Sequence, residues 1–175
     1  MKTNNNFNEF ATNVESAFAV KVCGIWLELS KFNDFKQFKQ VALDLCHTRD
    51  NFKIEDYKGI PSQIVEYFTL ANEFVFEQRF EDFQQYEMSD KLTQRAYEVY
   101  LQDIDELGTF EDFTTKYVGY FFGESDFAIK YVDEIGLLDG IDSSIAMYFD
   151  YNAYAMDLFL NGDFTYCNGY VFSYN

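Results

Sequence analysis

EFVFEQRFEDFQQYE, residues 73–87, spaces Phe76, Phe80 and Phe83 by four and three, the repeat with which a helix buries one face. Glu73, Glu77 and Glu81 recur four apart on the adjacent face. Like charges at i,i+4 repel by about 0.2–0.5 kcal/mol per pair. The acid row therefore costs helix stability, and its reason must lie outside the helix.

Working outward from this helix, the first third of the chain reads as short strands around one helix. FNEFATNV (7–14) predicts a first strand, and AVKVCGIWLEL (19–29) a second with a bulge at Gly24. Asn33 or Asp34 caps a helix that turns Phe35, Phe38, Ala42 and Leu45 inward, and NFKIEDY (51–57) predicts a third strand. Pro61 and Ser62 open a helical stretch that breaks near Asn72, before the helix quoted above runs on to about Tyr86. Ser89 is expected to cap the next helix, with Leu92, Tyr97, Leu101, Ile104 and Leu107 inward and Gly108 at its end. Thr109 caps a shorter helix over Phe110, Phe113 and Tyr117. Ser125 caps another over Ala128, Val132 and Ile135, stopped by Gly136. Asp142 or Ser143 caps the last, with Ile145, Phe149, Ala153 and Met156 inward. Asn161-Gly162 and Asn168-Gly169 punctuate LFL, DFTY and YVFSY, so the chain is expected to end in a three-stranded antiparallel meander. The pattern is α+β in three segments: 1–60 α+β, 61–118 mainly helical, and 119–175 helices followed by the meander.

The net charge of -17 accompanies a hydrophobic fraction of 48% and an aromatic fraction of 21%, which excludes acidic disorder. The charge is uneven. Residues 1–60 balance 8 Lys/Arg against 8 Asp/Glu, leaving 5 basic and 22 acidic residues for 61–175, a net of -17. After Lys130 seven acids follow and no base. Adaptation for solubility or high salt would spread acid through the first third as well. No run of about 18 apolar residues predicts a membrane span, and MKTNNNFNEF has no signal-peptide pattern. Cys23, Cys46 and Cys167 lack CxxC spacing and read as free thiols of a reducing cytoplasm.

Catalytic signals are sparse. His47 is the single histidine, at a predicted helix end where a structural role suffices, and Cys46-His47 is too little for zinc. DIDELG (103–108) puts Asp103, Asp105 and Gly108 in calcium-loop positions, but Leu107 and Thr114 occupy positions that need ligands. The pairs Glu81-Asp82, Glu111-Asp112 and Asp133-Glu134 could seed a metal-dependent nuclease or a glycosidase, yet 22 acids make adjacent pairs ordinary. With no basic cluster, the chain is not expected to bind nucleic acid directly. No catalytic residue, cofactor or metal site is predicted.

An acid row can instead imitate a nucleic acid. Four helical residues advance about 6 Å, against one phosphate per about 3.4 Å along a DNA strand. Two or three staggered rows from neighbouring helices would reach that density and attract any protein that grips duplex DNA through Lys and Arg. The candidate carboxylates are Glu66, Glu73, Glu77, Glu81, Asp82, Glu87, Glu98, Asp103, Asp105, Glu106, Glu111, Asp112, Glu124, Asp126, Asp133 and Glu134.

A resemblance points the same way. YFDYNAYAMDLFLNGDF (148–164) is similar to the C-terminal signature of the ArdA antirestriction proteins, roughly Y-x-D-x-x-A-x-x-x-D-L-x-x-S-G, placing weight on Tyr148, Asp150, Ala153, Asp157, Leu158 and Gly162. GYFFGESDFAIKYVDEIGLL (119–138) resembles the family's G-x-x-x-S-x-x-D/E-F-A segment, and FKIEDYKG (52–59) its A-I-x-D-Y-E-G strand. Asn13 and Gly24-x-Trp26 resemble its opening N-L … G-x-W. The chain departs from the family at Met156, where Arg is usual, and at SAFAV (16–20), which replaces a glycine-containing turn. The resemblance implies an elongated, curved, three-part bacterial cytoplasmic protein. It would dimerise through its C-terminal part and occupy the DNA-binding groove of type I restriction-modification enzymes without catalysis. Because two acidic surfaces repel, the dimer contact is expected to be apolar, through residues such as Tyr151, Phe159 and Tyr170. An acidic adaptor for another DNA-binding protein, such as a CRISPR effector or nucleoid protein, and a carboxylate-dependent hydrolase are the alternative readings.

Overall fold

Alternation of apolar side chains builds the first hairpin, β1 (Ala19–Val22) and β2 (Ile25–Glu28), with Val20, Val22 and Leu27 fully buried. This comes from a computed structural model, which describes residues 9–12, 18–68 and 72–174. The single bulged strand expected over residues 19–29 is corrected. Cys23 (φ 46°) and Gly24 (φ 80°) are both left-handed, which reverses the chain in a two-residue turn and sets Val22 opposite Ile25. β3 (Ile54–Lys58) pairs antiparallel on the other side of β1, giving the order β2-β1-β3. The strand expected at 7–14 falls partly outside the described residues, and within it Ala11 bridges Leu27.

α1 (Phe35–Leu45) starts where the Gln37 amide donates to Asp34 Oδ1 at 2.7 Å, and it buries Phe35, Phe38, Val41 and Ala42. The hairpin turn meets the end of this helix, and there Cys23 and Cys46 are joined as a disulfide with Cα atoms 5.6 Å apart. The expectation of three free thiols therefore holds for Cys167 alone. Sequence spacing could not reveal the pair, because 23 residues separate its members and a sheet and a helix bring them together.

Four helices follow: α2 (Ser62–Val65), α3 (Glu73–Met88), α4 (Lys91–Asp103) and α5 (Phe110–Lys116). Asn72 caps α3 through the Val75 amide. Asp90, not Ser89, caps α4, its Oδ1 taking the Leu92 and Thr93 amides at 2.8 and 3.0 Å. Those bonds hold the Asp90 carboxyl below the usual carboxylate range. Ser89 closes α3 instead, donating its hydroxyl to the Gln85 carbonyl. α4 ends at Asp103 rather than at Gly108, and Leu92 and Leu107 are exposed. The rings of Phe35 and Phe38 pack on Phe76 and Phe80 at centroid distances of 4.7–6.0 Å, so α1 and α3 share one aromatic core.

The chain forms two compact units, Met1–Glu111 and Asp112–Asn175. The second contains β4 (Tyr117–Tyr120), α6 (Glu124–Glu134), α7 (Ser143–Ala146), α8 (Tyr151–Leu160), β5 (Phe164–Cys167) and β6 (Tyr170–Ser173). Its sheet is antiparallel and three-stranded, but its order is β4-β6-β5. LFL lies in α8, and residues 117–120 supply the third strand in its place. The two Asn-Gly pairs act differently. Asn168 (φ 53°) and Gly169 (φ 94°) make the hairpin turn, whereas Asn161 stays right-handed and Gly162 (φ 79°) closes α8. A Cβ on Gly169 would run into the Tyr120 ring.

The expected helix over residues 143–156 is two helices, capped separately by Asp142 and Asp150. Restarting at Asp150 rotates the apolar face, so Ala155 and Leu158 are buried while Ile145 and Met156 are 64% and 60% exposed. Ser125 does not cap α6; Gly123 precedes that helix, and the Ser125 hydroxyl bonds Asn152 Oδ1 of α8. The core of this unit gathers Phe121, Phe127, Ala128, Ala155, Leu158 and Val171. Among the described residues the fold is α+β, with eight helices and two antiparallel three-stranded sheets. No helix among them is long and apolar enough to cross a membrane.

Candidate functional site

α3 buries Phe76, Phe80, Phe83 and Tyr86, and that orientation leaves Glu73, Glu77 and Glu81 exposed on the opposite side. The row is not uniform. Glu73 is engaged by Lys39 Nζ at 2.6 Å, and Glu73 and Glu77 line a groove of about 450 Å3 with Lys36, Lys39 and Arg49. Cations of the first unit thus flank the start of the row, and Glu77 and Glu81 carry its outward charge. Phe74 (76% exposed) and Met88 (87% exposed) bracket the same surface. Neither was singled out from the sequence, although both lie off the 76/80/83 stripe.

Asp82 departs from the expectation of a surface carboxylate: it is fully buried, on the helix side that packs inward. Arg79, 2% exposed, donates to Asp82 Oδ2 at 3.0 Å, to the Gly108 carbonyl at 2.8 Å and to the Tyr97 hydroxyl at 3.4 Å. Its second terminal nitrogen donates to the Glu106 carbonyl at 3.3 Å. The Phe110 amide donates to Asp82 Oδ1 at 2.9 Å. Burial pushes the Asp82 carboxyl up, opposed by the Phe110 amide and the Arg79 guanidinium. Asp82 cannot meet a partner protein, and an ion pair this deep contributes no outward charge.

The network draws the α4–α5 loop onto α3. Asp103, Glu106 and Glu111 of that region are exposed and Asp105 is half-buried. The Tyr67 hydroxyl donates to Glu106 Oε1 at 3.3 Å, and the Leu107 amide to Asp105 Oδ1 at 3.1 Å. Glu66 is exposed. Glu98 is half-buried between the Tyr86 hydroxyl (2.8 Å) and Arg95 (2.6 Å). Glu87 is half-buried too, and burial raises its carboxyl above the usual range. In the second unit Asp112, Glu124, Asp126, Asp133 and Glu134 are exposed, with Lys130 3.4 Å from Glu134.

Three of the six C-terminal signature residues, Asp150, Leu158 and Gly162, serve the fold of their unit. Asp150 caps α8 through the Asn152 and Ala153 amides at 3.1 and 3.0 Å, Leu158 is buried and Gly162 closes the helix. Ala153 and Asp157 are exposed, and Tyr148 is 81% exposed. Of the residues expected at a dimer contact, Tyr170 is 6% exposed, and Tyr151 and Phe159 are half-buried, Phe159 against Phe127. The unit's exposed apolar side chains are others, among them Phe122, Ile145, Met147, Met156 and Leu160.

Among the described residues, no group of three or more His, Cys, Asp or Glu could hold a metal ion. His47 is exposed and left-handed (φ 51°) just beyond α1, a helix-closing position. The family model described as antirestriction protein (ArdA) matches residues 11–172. Neither a curated protein nor a solved structure matches the chain significantly.

Proposed function

The chain belongs to the antirestriction protein (ArdA) family, and from that premise we propose that it acts as a mimic of duplex DNA. In this reading its carboxylates occupy the DNA-binding groove of a type I restriction-modification enzyme in the bacterial cytoplasm. They block the enzyme without catalysis, and the chain itself binds no nucleic acid. One observation carries the reading: the α4–α5 connection, with Glu106 in the loop between Asp103 of α4 and Glu111 of α5, is hydrogen-bonded onto the helix that exposes Glu77 and Glu81. Two acid-bearing elements are thereby held side by side, which a single helical row is too sparse to replace. The test is cleavage by a purified type I enzyme with added protein, across a salt series and with competing non-specific duplex DNA. Inhibition should be relieved by the duplex and weaken as salt rises. Inhibition indifferent to both would rule the mimic out.

Homodimerisation through the second unit is part of the same proposal. That unit sets 10 acids against Lys116 and Lys130, so two copies repel unless the contact is apolar. Ile145, Met147, Met156 and Leu160 offer such a contact in place of the buried Tyr170. Sedimentation should show a dimer at micromolar protein, little changed between low and high salt; a monomer at low and high salt alike would refute it.

A further inference from the structure

We propose that Arg79 and Asp82 are positioning residues, which hold the carboxylates of Asp103, Asp105, Glu106 and Glu111 in one arrangement for a basic partner. The proposal rests on the mimic reading above. Burying an ion pair is expensive, and packing alone does not require it, because apolar replacements of such pairs often leave stability unchanged or improved. What this pair adds is a set of directed bonds. Two loop residues and the first residue of α5 are tied to two side chains on α3: the Glu106 and Gly108 carbonyls to Arg79, and the Phe110 amide to Asp82.

The surroundings are shaped to the same end. The buried Gly108 carbonyl takes a second bond from the Tyr97 hydroxyl at 3.2 Å, and a Cβ on Gly108 would collide with the Tyr100 ring. Glycine is needed there so that the loop can approach. Tyr67 lies over the guanidinium, 5.3 Å from ring centre to Cζ, while its hydroxyl holds the Glu106 carboxylate. A guanidinium reaches several acceptors in one plane, which an ammonium cannot. A loop fixed before binding loses less freedom when the partner arrives.

Net charge and positioning predict opposite signs for one variant. Arg79→Met leaves the chain one charge more negative, so attraction to a polycation alone would make it an equal or better inhibitor. If the pair positions the loop, inhibition by the folded variant should weaken about tenfold. The Phe110 amide should exchange with solvent at least about tenfold faster, with the β1–β2 hairpin amides unchanged. Arg79→Lys restores the charge without the fork and should recover little. Wild-type exchange at Phe110 in folded Arg79→Met, or undiminished inhibition, would overturn the proposal. If Arg79→Met does not fold, Asp82→Asn and Tyr67→Phe decide it. Asp82→Asn weakens the Phe110 tie, and Tyr67→Phe deletes the bond to Glu106. Unaltered exchange and inhibition in both would be equally fatal. Should the wild-type chain fail to inhibit, the mimic reading falls, and the exchange measurement still reports whether the pair holds the loop.

Discussion

Changing Glu77, Glu81, Asp103 and Glu111 together to their amides should weaken inhibition about 100-fold at physiological salt, near 3 kcal/mol, whereas each change alone should cost about 1 kcal/mol or less. The four are exposed, on α3, at the end of α4 and at the start of α5. Screening acts over about 8 Å at this ionic strength, so each partner Lys or Arg senses several of them at once. The salt dependence of inhibition should flatten in the quadruple variant, because fewer charge contacts are made. Its thermal stability should rise slightly, since removing the Glu77–Glu81 repulsion relieves about 0.2–0.5 kcal/mol. Activity and stability then move in opposite directions, which separates lost recognition from unfolding. One carboxylate that abolishes inhibition while its neighbours are silent would point to a catalytic or metal-binding group and end the mimic reading. Glu73 and Asp82 are left out for structural reasons: Lys39 already engages the first, and the second is buried.

Reducing Cys23–Cys46, or replacing both residues by Ser, should lower the stability of the first unit by about 3 kcal/mol. Chain-entropy theory gives this value for the loop the bond closes, whose ends are 23 residues apart. The measurement is the urea midpoint with and without reductant. It should fall in the wild-type chain and not in the double-Ser variant, and a wild-type midpoint indifferent to reductant would refute the expectation. The proposed site of action is a reducing cytoplasm, so the reduced form is compared with the oxidised one in inhibition assays. The bond joins two residues of the charge-balanced segment 1–60, which bears none of the acids proposed to meet the partner. Inhibition per folded molecule should therefore be the same in both redox states.

Much of the local structure was legible in the residue order. The aromatic spacing of 73–87 places Phe76, Phe80 and Phe83 in a core, and they are buried there. Asp34 and Asp142 cap helices where short polar side chains precede apolar periodicity, and Asn72 stands where the sequence predicts a break in the helical stretch. Gly136 stops α6 because a left-handed residue was needed at that point. Family membership was legible too, through the 148–164 signature. The uneven charge, a property of composition along the chain, was visible without any structure.

Other features depend on which segments meet. Cys23–Gly24 reads equally as a bulge or a turn until β2 folds back on β1. Identical Asn-Gly pairs diverge because Asn168 can be left-handed between two paired strands, whereas Asn161 is held in the last turn of α8. The interruption at Asp150 rotates the face of α8, and no periodicity within 143–156 marks that rotation. Above all, the acidic sequence EDF does not say which of Glu81 and Asp82 meets solvent. Residue order determined that α3 is helical, aromatic on one side and acidic on the other. Only the packing of the α4–α5 loop against α3 decided that Asp82 turns inward, because the Phe110 amide and the Arg79 guanidinium there needed an acceptor that water could no longer supply.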